Sequence, residues 1–129
     1  MELFQGLGHI AVRTKDIETS IAFYEKLGGK LLRRSDAVPG KLLALVEFCG
    51  VTLELIQAPG EFPQTEGLIP HFAIAVADVD EAAKKLADAG LDSFETPEKN
   101  VSETLFGGLE NRFFQGPDGE RIELVRMLH

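Results

Sequence analysis

Short runs of alternating hydrophobic and polar residues dominate this chain, and twice they give way to helical spacing. In "HIAVR", Ile10 and Val12 point to one side of an extended segment, and His9, Ala11 and Arg13 point to the other. Asp16 is a helix N-cap residue, and Ile17, Ile21, Tyr24 and Leu27 then recur along one helical face until Gly28-Gly29. "KLLRRSD", a Pro39-Gly40 turn, "KLLALVEF" and "VTLELIQ" follow and read as three strands. The predicted order is β-α-β-β-β.

The same order is written again. In "HFAIAV", Phe72, Ile74 and Val76 share one face, and His71, Ala73 and Ala75 share the other. Asp78 caps a second helix, with Glu81 three residues on as in a capping box. Its apolar stripe is Val79, Ala82, Ala83 and Leu86, and Gly90 ends it. "LDSFET", "ETLFGGLENRFFQ" and "ERIELVRM" are the expected strands, the last two joined by the turn "GPDG". His9, Asp16 and Gly28 recur as His71, Asp78 and Gly90 at one offset of 62 residues. Between the repeats, "APGEFPQTEGLIP" holds three of the six prolines and reads as a connector. The expected organisation is one α+β domain over 1–129: a first module at 6–57, a linker at 58–69 and a second module at 70–127.

Composition narrows the classes. A chain of 129 residues with 44% hydrophobic and 26% charged residues can bury a real core. A net charge of −8 repels phosphate backbones, which argues against nucleic acid as a partner. No run of eighteen apolar residues is present, so no spanning helix is expected, and "MELFQGLG" lacks the features of a secretory signal. Cys49 is the only cysteine, consistent with a reducing, cytoplasmic setting.

The candidate chemistry comes from face parity. In "VTLELIQ", Leu53 and Leu55 share a face and leave Glu54 on the other. In "RIELVR", Ile122 and Leu124 leave Glu123 opposite. If the aliphatic pairs pack under the helices, the other sheet face carries His9, Glu54, His71 and Glu123, with the small residues Ala11 and Ala73 beside the histidines. A lone glutamate between leucines is usually the wet side of a strand, and a lone histidine is seldom a ligand. The joint placement changes that weighing. Two carboxylates gathered without a cation repel and lose hydration, and a divalent metal removes the conflict. Imidazole with carboxylate suits Ni, Co, Zn, Mn or Fe(II) better than Ca or Mg. His129 ends the sequence and reads as tail.

The segments "GHIAVRTKDIETSIAFYEKLGGKLL", "TLELI", "PHFAIAVADVDEAAKKLADAG" and "GPDGERIEL" resemble the vicinal-oxygen-chelate superfamily. That superfamily includes glyoxalase I, methylmalonyl-CoA epimerase, extradiol dioxygenases and the fosfomycin and bleomycin resistance proteins. The resemblance implies paired βαβββ modules forming a cupped mixed sheet around a metal, with helices outside. The set His9, Glu54, His71, Glu123 is similar to the two-His, two-Glu ligands of glyoxalase I. It implies a lyase acting on a thiol hemithioacetal, with Ni or Co favoured and a homodimer with shared sites as the assembly. Glu123 is then the expected base and Glu54 the second carboxylate, while Arg13 and Lys99 are the expected contacts for an anionic part of the substrate. The epimerase family, acting on an acyl-CoA, typically has an amide where this chain has Glu54, and the resistance proteins often lack the ligands. Ala58, with Gln57 beside it, stands where bacterial glyoxalase I has an asparagine, so the metal centre is better marked than the thiol.

Overall fold

The computed structural model describes residues 3, 5, 7–62, 67 and 69–129. Residue 6, where the first module is expected to begin, and positions 63–66 and 68 of the expected linker lie outside the described residues. The chain divides into two compact units, Met1–Phe62 and Pro63–His129.

In the first unit, β1 (Ile10–Arg13) leads to α1 (Ile17–Lys26), and β2 (Lys30–Ser35), β3 (Leu42–Phe48) and β4 (Val51–Gln57) follow. The sheet order is β1-β4-β3-β2, with β1 parallel to β4 and the other pairs antiparallel. The helix begins where the Asp16 carboxylate accepts a hydrogen bond from the Thr19 N–H. It stops at a Schellman motif: Gly29 N–H bonds to Tyr24 O, and Gly28, at φ +91°, bonds to Glu25 O. Ile17, Ile21 and Tyr24 are buried, as are Val46, Phe48, Leu53 and Leu55 of the strands beneath. The Tyr24 and Phe48 rings lie 5.3 Å apart. Each fully buried aliphatic side chain of this kind contributes about 1.5–3 kcal/mol.

The second unit repeats the plan. β5 (Phe72–Ala75), α2 (Val79–Asp88), β6 (Asn100–Ser102), β7 (Leu109–Gln115) and β8 (Arg121–Met127) form a sheet of order β5-β8-β7-β6, with β5 parallel to β8. Asp78 caps α2 by accepting from Glu81 N–H, and Gly90 and Leu91 close it with the same pair of bonds as in α1. Val79, Ala83, Phe114, Ile122 and Leu124 are buried. Each unit is thus a mixed four-stranded sheet with one helix against it, an α+β arrangement in which the leucine and isoleucine pairs of β4 and β8 face the helix.

Two expected strands differ. "LDSFET" makes only an isolated bridge, Phe94 to Phe114, and the second strand of the unit is Asn100–Ser102 instead. Pro97 lacks an N–H and cannot extend the ladder, and the Arg112 guanidinium takes up the Thr96 and Pro97 carbonyls. The segment before Leu109 is not extended either. Phe106, Gly107 and Gly108 all have positive φ, and a 3-10 turn occupies Leu105–Gly107.

Candidate metal centre

The parallel pairing of β1 on β4 sets Ala11 opposite Glu54. In the second unit, β5 on β8 sets Ala73 opposite Glu123. Alanine carries one methyl group, so each glutamate keeps room to extend from the sheet on the side away from its helix. The histidine two residues before each alanine shares that face. His9 Nε2 lies 3.6 Å from Glu54 Oε1, and His71 Nε2 lies 3.2 Å from Glu123 Oε1. The repeat seen in the sequence is therefore a repeated pair of nitrogen and oxygen donors.

Donor type and spacing both fit a divalent transition metal. An ion about 2.1 Å from both atoms of a pair would subtend an angle of about 100° at the His71–Glu123 pair and about 120° at the His9–Glu54 pair, both ordinary for such ions. Each unit by itself supplies two candidate ligands. Among the described residues, no group of three or more histidine, cysteine, aspartate or glutamate side chains is gathered so as to hold a metal ion.

The two pairs have different surroundings. Glu123 is the more enclosed, its side chain 12% exposed against 25% for Glu54. Across β7 it faces Phe113, whose ring meets His71 edge-on at 5.2 Å and carries the Arg121 guanidinium 3.8 Å from its centroid. Arg121 in turn grips Glu95 through both carboxylate oxygens, which holds the Glu95 carboxyl below the usual carboxylate range. The Asn111 amide donates to Glu123 Oε2 at 2.7 Å. Across β3, Glu54 faces Leu45.

The remaining expected site residues sit apart. Arg13 ends β1 on the face of Ala11, and its Nε is buried without a hydrogen-bond partner among the described residues. Lys99 makes ion pairs with Glu110 at 3.1 Å and Asp80 at 3.4 Å, which raise its pKa. By strand alternation Glu110 belongs to the helix side of β7, so the structure does not bring the Lys99 ammonium to Glu123. Gln57 is already engaged: its Oε1 accepts the Ile17 N–H at 2.9 Å and ties the first turn of α1 to β4. Sequence reasoning missed Asn111. Counting back across the "GPDG" turn from Glu123 gives its strand neighbour as Phe113, and Asn111 lies two residues further on the same face.

Residues 6–124 match the family model described as the Glyoxalase/Bleomycin resistance protein/Dioxygenase superfamily, and the chain belongs to that superfamily. It is 31% identical over 125 residues to the uncharacterized protein YwbC of Bacillus subtilis (strain 168), covering 93% of this chain and 96% of that one. A solved structure of the glyoxalase family protein from Enterococcus faecalis is 27% identical with a TM-score of 0.75, over 96% of this chain and 99% of the other. The glyoxalase/bleomycin resistance protein/dioxygenase from Alicyclobacillus acidocaldarius, 24% identical, shares the fold with a TM-score of 0.70 over 96% and 92% of the two chains. The superfamily takes in many enzymes, and its members often bind divalent metals. No helix among the described residues is long and apolar enough to cross a membrane.

Proposed function

We propose that this chain is a metal-dependent lyase of the glyoxalase I type, acting on the hemithioacetal of a 2-oxoaldehyde and a thiol and releasing an S-2-hydroxyacyl thioester. The observation that carries the reading is the duplicated His–Glu pair, each beside an alanine at the same register. In this reading His9, Glu54, His71 and Glu123 are the metal ligands, two from each unit. A divalent metal, Ni or Co by preference, supplies Lewis-acid stabilisation of the negative charge that develops on neighbouring substrate oxygens.

The chain's own groups move the proton. Glu123 takes it from the thiol-bearing carbon and Glu54 returns it to the adjacent carbonyl carbon, while the hydroxyl proton of the first carbon passes to the oxygen of the second, so the hydroxyl becomes the thioester carbonyl and the carbonyl becomes the hydroxyl. One carbon is oxidised and its neighbour reduced, so no external redox partner is needed. His9 and His71 serve as nitrogen ligands and take no part in the proton transfer. Arg13, with its unpartnered buried Nε, holds an anionic part of the substrate by a charge-assisted hydrogen bond. Lys99 is the second cation of this proposal, and it serves an anionic tail only by exchanging Glu110 or Asp80 for it.

Metal analysis of the native protein, paired with a Glu123→Gln variant, tests the reading. The expected result is one equivalent of divalent metal per site in the parent, metal retained at lower affinity in the variant, and hemithioacetal isomerisation nearly abolished. A parent that carries no metal and takes up none removes the proposal, and an active variant removes Glu123 from the base role. Turnover of an acyl-CoA epimer in place of the hemithioacetal would transfer the same machinery to an epimerase. A second reading, a small-molecule-binding protein without turnover, is favoured by one observation: three or more ligands are not gathered among the described residues. Tight binding of a small molecule to metal-free protein, with no turnover, would select it.

A further inference from the structure

The second unit contains a contact with no counterpart among the described residues of the first. Asn111 lies two residues before Phe113 on β7, opposite Val125, and its amide reaches Glu123 Oε2 at 2.7 Å. An ionised carboxylate only accepts hydrogen bonds, so the group turned toward it is the NH2. The matching position in the first unit, opposite Ile56, is Leu43, which has no donor to offer Glu54. Duplication has therefore kept the His–Glu pair and altered what stands behind the carboxylate.

We infer that Asn111 is a positioning residue: it ties down Oε2 of Glu123 and leaves Oε1, the atom beside His71, as the single oxygen presented to a metal. The inference rests on the metal-centre reading above and deepens it. A free carboxylate binds an ion through one oxygen or both. With one lone pair of Oε2 engaged at 2.7 Å, two-oxygen binding competes with a charge-assisted hydrogen bond in a side chain that is 12% exposed, and is disfavoured. One-oxygen binding keeps a coordination position open for substrate and fixes the orientation of the carboxylate expected to take the proton. Glu54, backed by Leu43 and Leu45, lacks this constraint on its strand neighbours, so the two carboxylates enter the reaction unequal.

The test uses full-length protein stripped of metal and titrated with cobalt, zinc or nickel. Asn111→Leu installs the residue of the first unit, and Asn111→Ser removes the reach of the amide without adding bulk. Urea unfolding checks that each is folded. Cobalt affinity is expected to fall about 10–100-fold in both, the range for lost partners of a metal ligand. The visible cobalt spectrum should change as Glu123 rotates toward two-oxygen binding. In the parent, the Asn111 side-chain amide protons should keep a hydrogen-bonded shift when zinc is added. A folded variant with parental affinity and an unchanged spectrum overturns the inference, as does release of that amide on zinc binding. A parent that binds none of the three metals overturns the metal-centre reading itself, which is a different outcome from either of these.

Discussion

Replacing Ala73 with valine probes the space that the His71–Glu123 pair occupies. Ala73 is exposed and sits opposite Glu123 in the β5–β8 ladder, where adjacent strands run about 4.8 Å apart. Valine is a good strand residue, so the exposed substitution should leave folding stability within about 0.5 kcal/mol of the parent. Its two added methyl groups project onto the face from which Glu123 extends, into the gap between that carboxylate and His71, whose donor atoms are only 3.2 Å apart. One of the two side chains must turn aside. Misaligning one ligand costs about 10–100-fold in metal affinity, or about 1.4–2.8 kcal/mol of binding free energy. The assay is calorimetric titration of nickel into metal-free parent, Ala73→Val and Ala73→Ser, with urea unfolding of each. Serine adds one oxygen and should bind within about threefold of the parent on the same scale. Parental nickel affinity in a folded Ala73→Val protein would refute the claim that the alanine keeps space for the ligands. Weaker binding accompanied by an equal loss of stability would assign Ala73 to packing instead.

Arg13→Ala should raise the Michaelis constant for an anionic substrate about tenfold or more while leaving metal affinity unchanged, because Arg13 is assigned to the substrate and to no ligand; steady-state kinetics and metal titration separate the two. The two-residue β3–β4 hairpin turn is Cys49-Gly50, with φ of 51° and 80°. Cys49→Asn should raise stability by about 0.5–1 kcal/mol, since asparagine-glycine suits this geometry, and Cys49→Val should lower it by about 1–2 kcal/mol in urea unfolding. Partial desolvation raises the pKa of the exposed Cys49 thiol, so its alkylation by iodoacetamide should be slower than that of free cysteine at pH 7.5. Glu95 is held below its ordinary range chiefly by Arg121, so its contribution to stability is complete above the unfolded-state pKa of about 4.3 and is lost as pH falls through the lowered native value; Glu95→Gln should flatten that part of the stability–pH curve, read by thermal unfolding from pH 6 to pH 2.

Much of this was legible in the residue pattern. Periods of two and 3.6 located seven of the eight strands and both helices found among the described residues, because each element has a wet and a dry side and turn residues mark its ends. Parity alone separated Glu54 from Leu53 and Leu55, and Glu123 from Ile122 and Leu124, and the burial of the aliphatic pairs follows that division. The strand expected at "LDSFET" failed because an apolar alternation was weighed without Pro97, which ends pairing after one bridge. Partner choice was beyond the pattern. Nothing local in "TPEKN" marks Lys99 as the partner of Glu110 and Asp80, which come from β7 and α2, and nothing in "LIQA" shows that the Gln57 amide is spent on the first turn of α1. Side-chain pairing across elements depends on register and reach, and a linear sequence carries these only where a tight turn fixes the register.

The "GPDG" turn is such a case, and it bears on why the two units differ. Gly116 N–H bonds to Glu120 O, Gly119 N–H bonds to Gly116 O, and the Glu120 carboxylate folds back to accept from Asp118 N–H. This closes β7 onto β8 in one register, so Phe113 is held opposite Glu123 and Asn111 opposite Val125. A one-residue slip would turn Asn111 and Glu123 to opposite faces of the ladder. The first unit also closes its last hairpin tightly, but with a two-residue turn whose strands place Leu45 and Leu43 beside Glu54. Equal backbone plans thus deliver equal His–Glu donor pairs and unequal supports. A symmetric pair of half-sites would give both carboxylates the same freedom and no reason to divide proton removal from proton return. The Asn111 amide breaks that equivalence on the side of Glu123. The consequence for activity is specific: Glu123→Gln and Glu54→Gln should not be interchangeable, and the larger loss of turnover should fall on Glu123.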